Sequence, residues 1–259
     1  MLPERDGPGV AWLAAAQYLQ TCPGRHAYNL IYAISRPGEL SNADRQIIKN
    51  YDAFAVKHGL GTATTVANTI FPLDSYRSGG TDGLFNAYHQ EVYSRVKKGW
   101  GNYFDRMTRR RHSNGQFILD QDGAPLNPLK SLVQKLRRRV ETGRGPKGHY
   151  ELSVADEGYE LATYLPERDK LMPRGGPCLS HVSFKLDDSN AIRLTAFYRS
   201  HYYVERALGN LIGLARLQTF VAAEAGCHIG SLTCIAASAY LEATSGSAHK
   251  AEIDGCLLS

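Results

Sequence analysis

Apolar positions along this chain repeat with two periods, and the switches between them predict an alternation of helices and strands. Residues 10–20 place Trp12, Leu13, Ala16 and Leu19 on one helical stripe, and Cys22-Pro23-Gly24 ends it. Residues 28–34 read as a strand followed by a turn at Pro37-Gly38. Asn42 is the expected N-cap of a helix running to Lys57. Its apolar face is Ile47, Ile48, Tyr51, Phe54 and Ala55, and Gly59 suits its end. The Thr- and Val-rich run 62–70 predicts a strand. Helices are expected over 85–97 and 128–139, with a shorter one over 103–109. Pro128 fits a first helical turn, where its missing N–H costs nothing.

The stretch 141–148 is rich in Gly, Lys and Arg and reads as an exposed loop before a strand at 149–155. A second loop, 166–177, delivers the chain to Cys178. Strands at 181–186 and 192–198 flank a polar turn at 187–190, so a hairpin is expected. A buried helix over 207–225, stopped by Gly226, leads to a last strand at 229–239. With no repeat, low-complexity tract or obvious linker, the pattern predicts one α/β domain over residues 1–259.

Composition narrows the function classes. The chain is 43% hydrophobic and 21% charged, the balance of a soluble globular protein. Its five cysteines form no C-x-x-C pair, which fits a reducing compartment and no disulfide framework. Met1-Leu2-Pro3-Glu4-Arg5-Asp6 lacks the basic-then-apolar order of a signal peptide. The apolar stretch 208–225 is broken by Asn210, Arg216, Gln218 and Glu224, too polar to cross a bilayer. A cytoplasmic protein without a membrane partner is therefore expected. The net charge of +5 gathers at 106–111 and 135–147. Such clusters are solvated helix faces, or they draw in nucleic acid or a phosphorylated small molecule. Zinc-finger spacing and RNA-binding aromatic motifs are both missing, so neither a nucleic-acid partner nor a metal site is expected.

Three features stand in order toward the C-terminus. Pro177-Cys178 opens a strand, Tyr198-Arg199-Ser200 ends the next, and Asn210 begins a buried helix. Cys178 and Arg199 are 21 residues apart, and Arg199 and Asn210 are 11 apart. In this order and spacing they resemble the thymidylate synthase family. The run from Gly209 to Leu217 is similar to that family's Phe-Asn-Ile helix, and Gly226 to Leu232 resembles its return into the last strand. The resemblance covers residues 177–242, about a quarter of the chain.

The resemblance implies a mixed β-sheet flanked by helices, a homodimer built through that sheet, and 5,10-methylenetetrahydrofolate as one-carbon donor. It implies a pyrimidine nucleoside monophosphate as substrate, and a partner subunit that donates phosphate-binding arginines. Cys178 would be the nucleophile that adds to C6 of the base and gives C5 enolate character. Only a thiolate attacks, and nearby arginines favour that form. Arg199 suits a phosphate through paired, charge-assisted hydrogen bonds, and Ser200 adds another. Asn210 carries a donor and an acceptor, matching the O4 and N3–H edge of uracil. Tyr240 falls within the sugar-binding position.

The departures from the family's pattern are specific. Tyr202 stands where the family has a folate-binding aspartate, and Arg206-Ala207-Leu208 replace its Gly-Leu-Pro turn. Tyr240 and Glu242 replace its His-x-Tyr pair, and Leu179 replaces the histidine after the cysteine. The donated arginines fall at Gly148-His149, leaving Arg144 or Lys147 to substitute. Glu91 and Trp100 are available for the family's glutamate and tryptophan wall. These changes point away from ordinary dUMP, toward a divergent C5-methyl- or hydroxymethyltransferase. The alternative is a catalytically inactive nucleotide-binding member of the same fold. An unrelated acyl-transfer pairing of Cys178 with His181 is disfavoured, because residues three apart on a strand point to opposite faces.

Overall fold

The computed structural model describes residues 1–96, 102–112, 114–154, 177–242 and 251–255. In chain order the helices are α1 (Pro8–Thr21), α2 (Asn42–Lys57), α3 (Ala63–Ala67), α4 (Leu73–Asp82), α5 (Tyr93–Val96), α6 (Tyr103–Thr108), α7 (Pro128–Thr142) and α8 (Leu208–Ala225). The strands are β1 (His26–Ile34), β2 (Tyr150–Ser153), β3 (Leu179–Leu186), β4 (Ala191–Tyr198), β5 (His201–Tyr202) and β6 (His228–Tyr240). Wide π-helical turns occupy Gly83–Val92, leading into α5, and Tyr203–Ala207, leading into α8. The fold is mixed α/β, with a six-stranded sheet in the order β1-β6-β4-β3-β2. β5 pairs with β6 beyond the end of β4. Among the strand pairings of the described residues, β4–β6 and β5–β6 are parallel and the others antiparallel.

One face of this sheet is the core. Leu30, Tyr32 and Ile34 of β1, Leu194, Ala196 and Tyr198 of β4, and Leu232, Cys234 and Ala236 of β6 are buried there. Helix α8 lies across it, and Gln218 fastens the helix by donating to the carbonyls of Ile192 (2.8 Å) and Gly230 (3.0 Å). The opposite face carries Ile31, Thr195, Phe197, Thr233 and Ile235, all partly or fully exposed. No helix among the described residues is long and apolar enough to cross a membrane.

The hairpin expected around 187–190 forms, with β3 and β4 antiparallel across it. Asp187 closes the turn, its carboxylate accepting the N–H groups of Ser189 and Ala191. Two expectations are corrected. The N-cap of α2 is Ser41, not Asn42: Ser41 Oγ accepts the Asp44 N–H while the Asp44 carboxylate accepts the Ser41 N–H. The run 62–70 is helical, not a strand. Thr62 caps α3 by accepting the Thr65 N–H, and the helix seats against α8. A Cβ on Gly209 would lie 2.4 Å from Val66 Cβ, and one on Gly213 would lie 2.8 Å from the Ala67 carbonyl. The close α3–α8 approach overrides the strand preference of Thr and Val. Helix α4 also forms where none was expected. The loop at 166–176 and Trp100 lie outside the described residues.

Candidate active site

The backbone distorts where the expected motif sits. The β3–β4 register shifts between Leu179 and His181, and Arg199-Ser200 form a bend that separates β4 from β5. Bulges of this kind re-aim side chains and concentrate near functional sites. Across the distortion the Arg199 N–H donates to the Cys178 carbonyl at 3.0 Å. Two of the expected site residues, 21 positions apart in sequence, are thus direct backbone neighbours.

Cys178 is buried, at 8% exposure. Burial pushes its thiol above the ordinary cysteine value, and the positive charges of Arg199 and Arg206 pull it back only in part. The arginine effect expected from the sequence is present, but desolvation outweighs it. With no ligand bound, the thiol therefore keeps its proton at neutral pH.

Tyr103 of α6 is within electrostatic reach of this thiol. It is 3% exposed, and its hydroxyl oxygen accepts the Leu179 N–H. Burial pushes its phenol well above the ordinary tyrosine value, while Arg206 and Arg106 act in the opposite direction. Tyr198, fully buried at the end of β4, is close enough for its charge to couple to both Tyr103 and Cys178. The His201 ring stacks flat on Tyr198, with centroids 3.9 Å apart and planes 2° apart.

Asn210 stands behind that stack. It is 2% exposed, and its amide nitrogen lies 3.2 Å from His201 Nε2. Burial holds His201 down at about 3, so the imidazole is neutral and Nε2 accepts from Asn210. The other ring nitrogen faces Cys234 Sγ at 3.9 Å. Asn210 Oδ1 has no hydrogen-bond partner among the described residues. The donor half of the amide is thus engaged by His201, and the acceptor half is open. The sequence predicts that both halves face a base.

The remaining expected residues divide. Ser200 sits half-buried in the bend beside Arg199. Tyr240 lies at the end of β6, stacked on His26 (4.2 Å) and Tyr202 (5.7 Å), and no described contact joins it to the thiol. Glu242 is half-buried and accepts the N–H groups of Val204 (3.1 Å) and Glu205 (2.7 Å), so it caps the turn leading into α8. Glu91 is exposed. His181 pairs with Glu151 at 2.7 Å, so its nearest charged neighbour is on β2.

Sequence reading missed Tyr103, Arg206 and His201. Arg206 reaches the thiol electrostatically and also lines a cavity of about 570 Å³ with Asn68, Thr69, Asp74, Tyr88 and Asn102. That volume is within the range of small-ligand pockets. The signal for Arg206 was in the sequence, as the arginine standing where a Gly-Leu-Pro turn was missing. For Tyr103 the packing of α6 is what brings it to β3.

Among the described residues no group of three or more His, Cys, Asp or Glu side chains is placed to hold a metal ion. The folate of the resemblance meets a different residue set here. The position of the family's aspartate is Tyr202, 40% exposed and stacked on Tyr240, with no carboxylate to offer. The residues present do not fit that family's way of holding the cofactor.

Two curated proteins are similar in sequence, and both carry the name "Putative thymidylate synthase". The protein from Methanopyrus kandleri is 38% identical over 79 residues, covering 30% of this chain and 37% of its own length. The protein from Methanococcoides burtonii is 34% identical over 130 residues, covering 50% of this chain and 52% of its own length. The chain thus spans about half, or less, of the curated relatives it matches. No family model matches it. These similarities support a divergent relationship to proteins of that name.

Proposed function

We propose that this chain is a divergent pyrimidine nucleotide C5-methyl- or hydroxymethyltransferase acting on a uridine-type nucleoside monophosphate. The observation that carries this reading is the backbone pairing of Cys178 with Arg199 across the bulged β3–β4 ladder, with Arg206 within electrostatic reach of the same thiol. A nucleophile and a phosphate-binding fork side by side suit a ligand that carries both an electrophilic ring and a phosphate.

The chemistry follows from those groups. Once deprotonated, Cys178 Sγ forms a bond to C6, and the C5–C6 π electrons move through C5 onto O4. The resulting enolate carbon takes a proton or a one-carbon electrophile at C5. Loss of the original C5 hydrogen and expulsion of the thiolate then restore the ring. The buried, unpaired Asn210 Oδ1 suits an N3–H donor, which uracil has and cytosine lacks. Arg199 and Ser200 would hold the phosphate. Tyr240 stands as a proposed sugar contact, reached from the far side of its aromatic stack. The one-carbon donor that the resemblance implies is 5,10-methylenetetrahydrofolate. With Tyr202 in place of an aspartate, no step here runs through it.

A homodimer joined through the open sheet face is part of the proposal. Phe197 is 39% exposed near the end of β4, in a face that also carries Ile31 and Ile235, and burial of such a face is favourable. A second reading, a nucleotide-binding protein without catalysis, is favoured by the protonated state of the buried thiol. One experiment separates them. Tritium release from the C5 position of labelled UMP, dUMP and CMP is expected with a uridine nucleotide, because C6 addition alone drives the exchange. Nucleotide binding without exchange, unaffected by Cys178→Ala, would establish the second reading.

A further inference from the structure

The basic cluster at 135–147 makes no described contact with Cys178 within the chain, and the fold gives it a shape. Helix α7 ends at Thr142, Gly143 adopts the left-handed conformation at its C-cap (φ +67°), and Gly145 follows at φ +101°. Both values favour glycine. This reversal curls the chain back over its own last turn, so that a Cβ built on Gly145 would lie 3.8 Å from the Arg139 side chain. The result is a groove of about 730 Å³ lined by Lys135, Arg138, Arg139, Arg144, His149 and Tyr150.

The groove differs from its surroundings in how its charge is compensated. Flanking cations are neutralised: Arg137 pairs with Glu224 at 3.0 Å, Lys147 with Asp188, and Lys185 with Glu151. Among the described residues, Lys135, Arg138, Arg139, Arg144 and His149 take part in no ion pair, and no carboxylate lines the groove. Arg139 Nε is buried without a hydrogen-bond partner among them. A buried charged-group donor left unsatisfied is destabilising until a partner accepts from it. Four permanent cations thus converge on one concavity, one of them with an unsatisfied N–H, and among the described residues none has a counter-anion.

We propose that this groove is a binding site for a small polyphosphate-bearing ligand, the class that includes nucleoside di- and triphosphates, separate from the Cys178 site. Arginine forks match phosphate oxygens in paired, charge-assisted hydrogen bonds. A concavity of about 730 Å³ suits one compact ligand. A nucleic-acid surface would also be expected to offer exposed rings for base stacking, whereas Tyr150 is 3% exposed and its hydroxyl donates to the Pro146 carbonyl at 2.8 Å. The two sites stand at opposite ends of β3, because Tyr150 pairs with Phe184 whereas Cys178 precedes Leu179.

The test is calorimetric titration of the full chain with inorganic tripolyphosphate at low salt. One site per chain is expected, weakening as salt rises. Arg138→Gln with Arg144→Gln should weaken binding about tenfold or more, while Arg199→Ala leaves it unchanged. Both glutamine substitutions lie on exposed side chains, and circular dichroism should report an unaltered fold. Equal affinity in the double variant overturns the proposal, as does binding no tighter than that of orthophosphate. Loss of binding in Arg199→Ala would place the probe at the thiol site and also overturn it. So would single-stranded RNA that binds more tightly as it lengthens and is not displaced by tripolyphosphate.

Discussion

Strand β3 joins two basic regions that use positive charge differently. At its first residue, Arg199 and Arg206 act on a thiol that is 8% exposed, and their field is opposed by the desolvation of that same thiol. Near its last residues, Arg138 and Arg144 stand in water around an open groove, where charge attracts a ligand. Burial makes the first region sensitive to single atoms, and exposure makes the second additive and salt-dependent. Substitutions at one end of the strand should therefore leave the other end unmoved.

The largest effect expected is at the nucleophile. Cys178→Ala should reduce C5 tritium release to background while tripolyphosphate binding at the groove keeps its wild-type affinity. The measurement pairs an exchange assay with calorimetry on the same preparation. Exchange that persists in Cys178→Ala removes the cysteine from the mechanism. Simultaneous loss of tripolyphosphate binding would join the two regions into one site.

The two ends were also unequally legible in the sequence. The hairpin and α8 could be read from periodicity, because each buries a face whose spacing is set by its own geometry. The order Cys178, Arg199, Asn210 was legible only as a resemblance, at the ends of the hairpin strands and the start of α8. The helical state of 62–70 could not be read, since the residues that decide it, Gly209 and Gly213, lie far along the chain. Tyr103 was hidden for the same reason, reaching the thiol only through the docking of α6. The sign of the Cys178 shift was hidden as well. Sequence reveals the arginines that lower a thiol, but not the depth of burial that raises it. At the groove, the basic residues were visible as a run, and only the turn at Gly143 and Gly145 converts that run into a concavity.

The second effect in size concerns packing. Gly209→Ala places a methyl 2.4 Å from Val66 Cβ and 2.8 Å from the Ala63 carbonyl, so α3 and α8 must separate. Overpacking of this kind costs about 1–3 kcal/mol. Urea denaturation should report that loss, and the C5 exchange should fall with it because α8 carries Asn210. Arg138→Gln with Arg144→Gln should leave the urea midpoint in place, since surface substitutions stay within about 0.5 kcal/mol. A Gly209→Ala midpoint equal to wild type would mean that the α3–α8 contact is looser than these distances.

The smallest effect is the most diagnostic of the electrostatic contrast. Iodoacetamide reacts with the thiolate, so the alkylation rate of Cys178, followed by mass spectrometry of its peptide, traces the ionisation of that thiol. Burial already holds the thiol above its ordinary value, so the rate should climb on the alkaline side of a free cysteine's profile. Arg206→Ala removes a charge that favours the thiolate. The folded-state value therefore rises further, the profile moves to higher pH, and the rate at a fixed neutral pH falls. Arg199→Ala should act in the same direction, and by more, because Arg199 is the stronger of the two opposing influences. The Arg138 and Arg144 substitutions, at the far end of β3 and screened by water, should leave the profile where it is. A profile that moves to lower pH in Arg206→Ala would show that this arginine acts on access to the thiol and not on its charge.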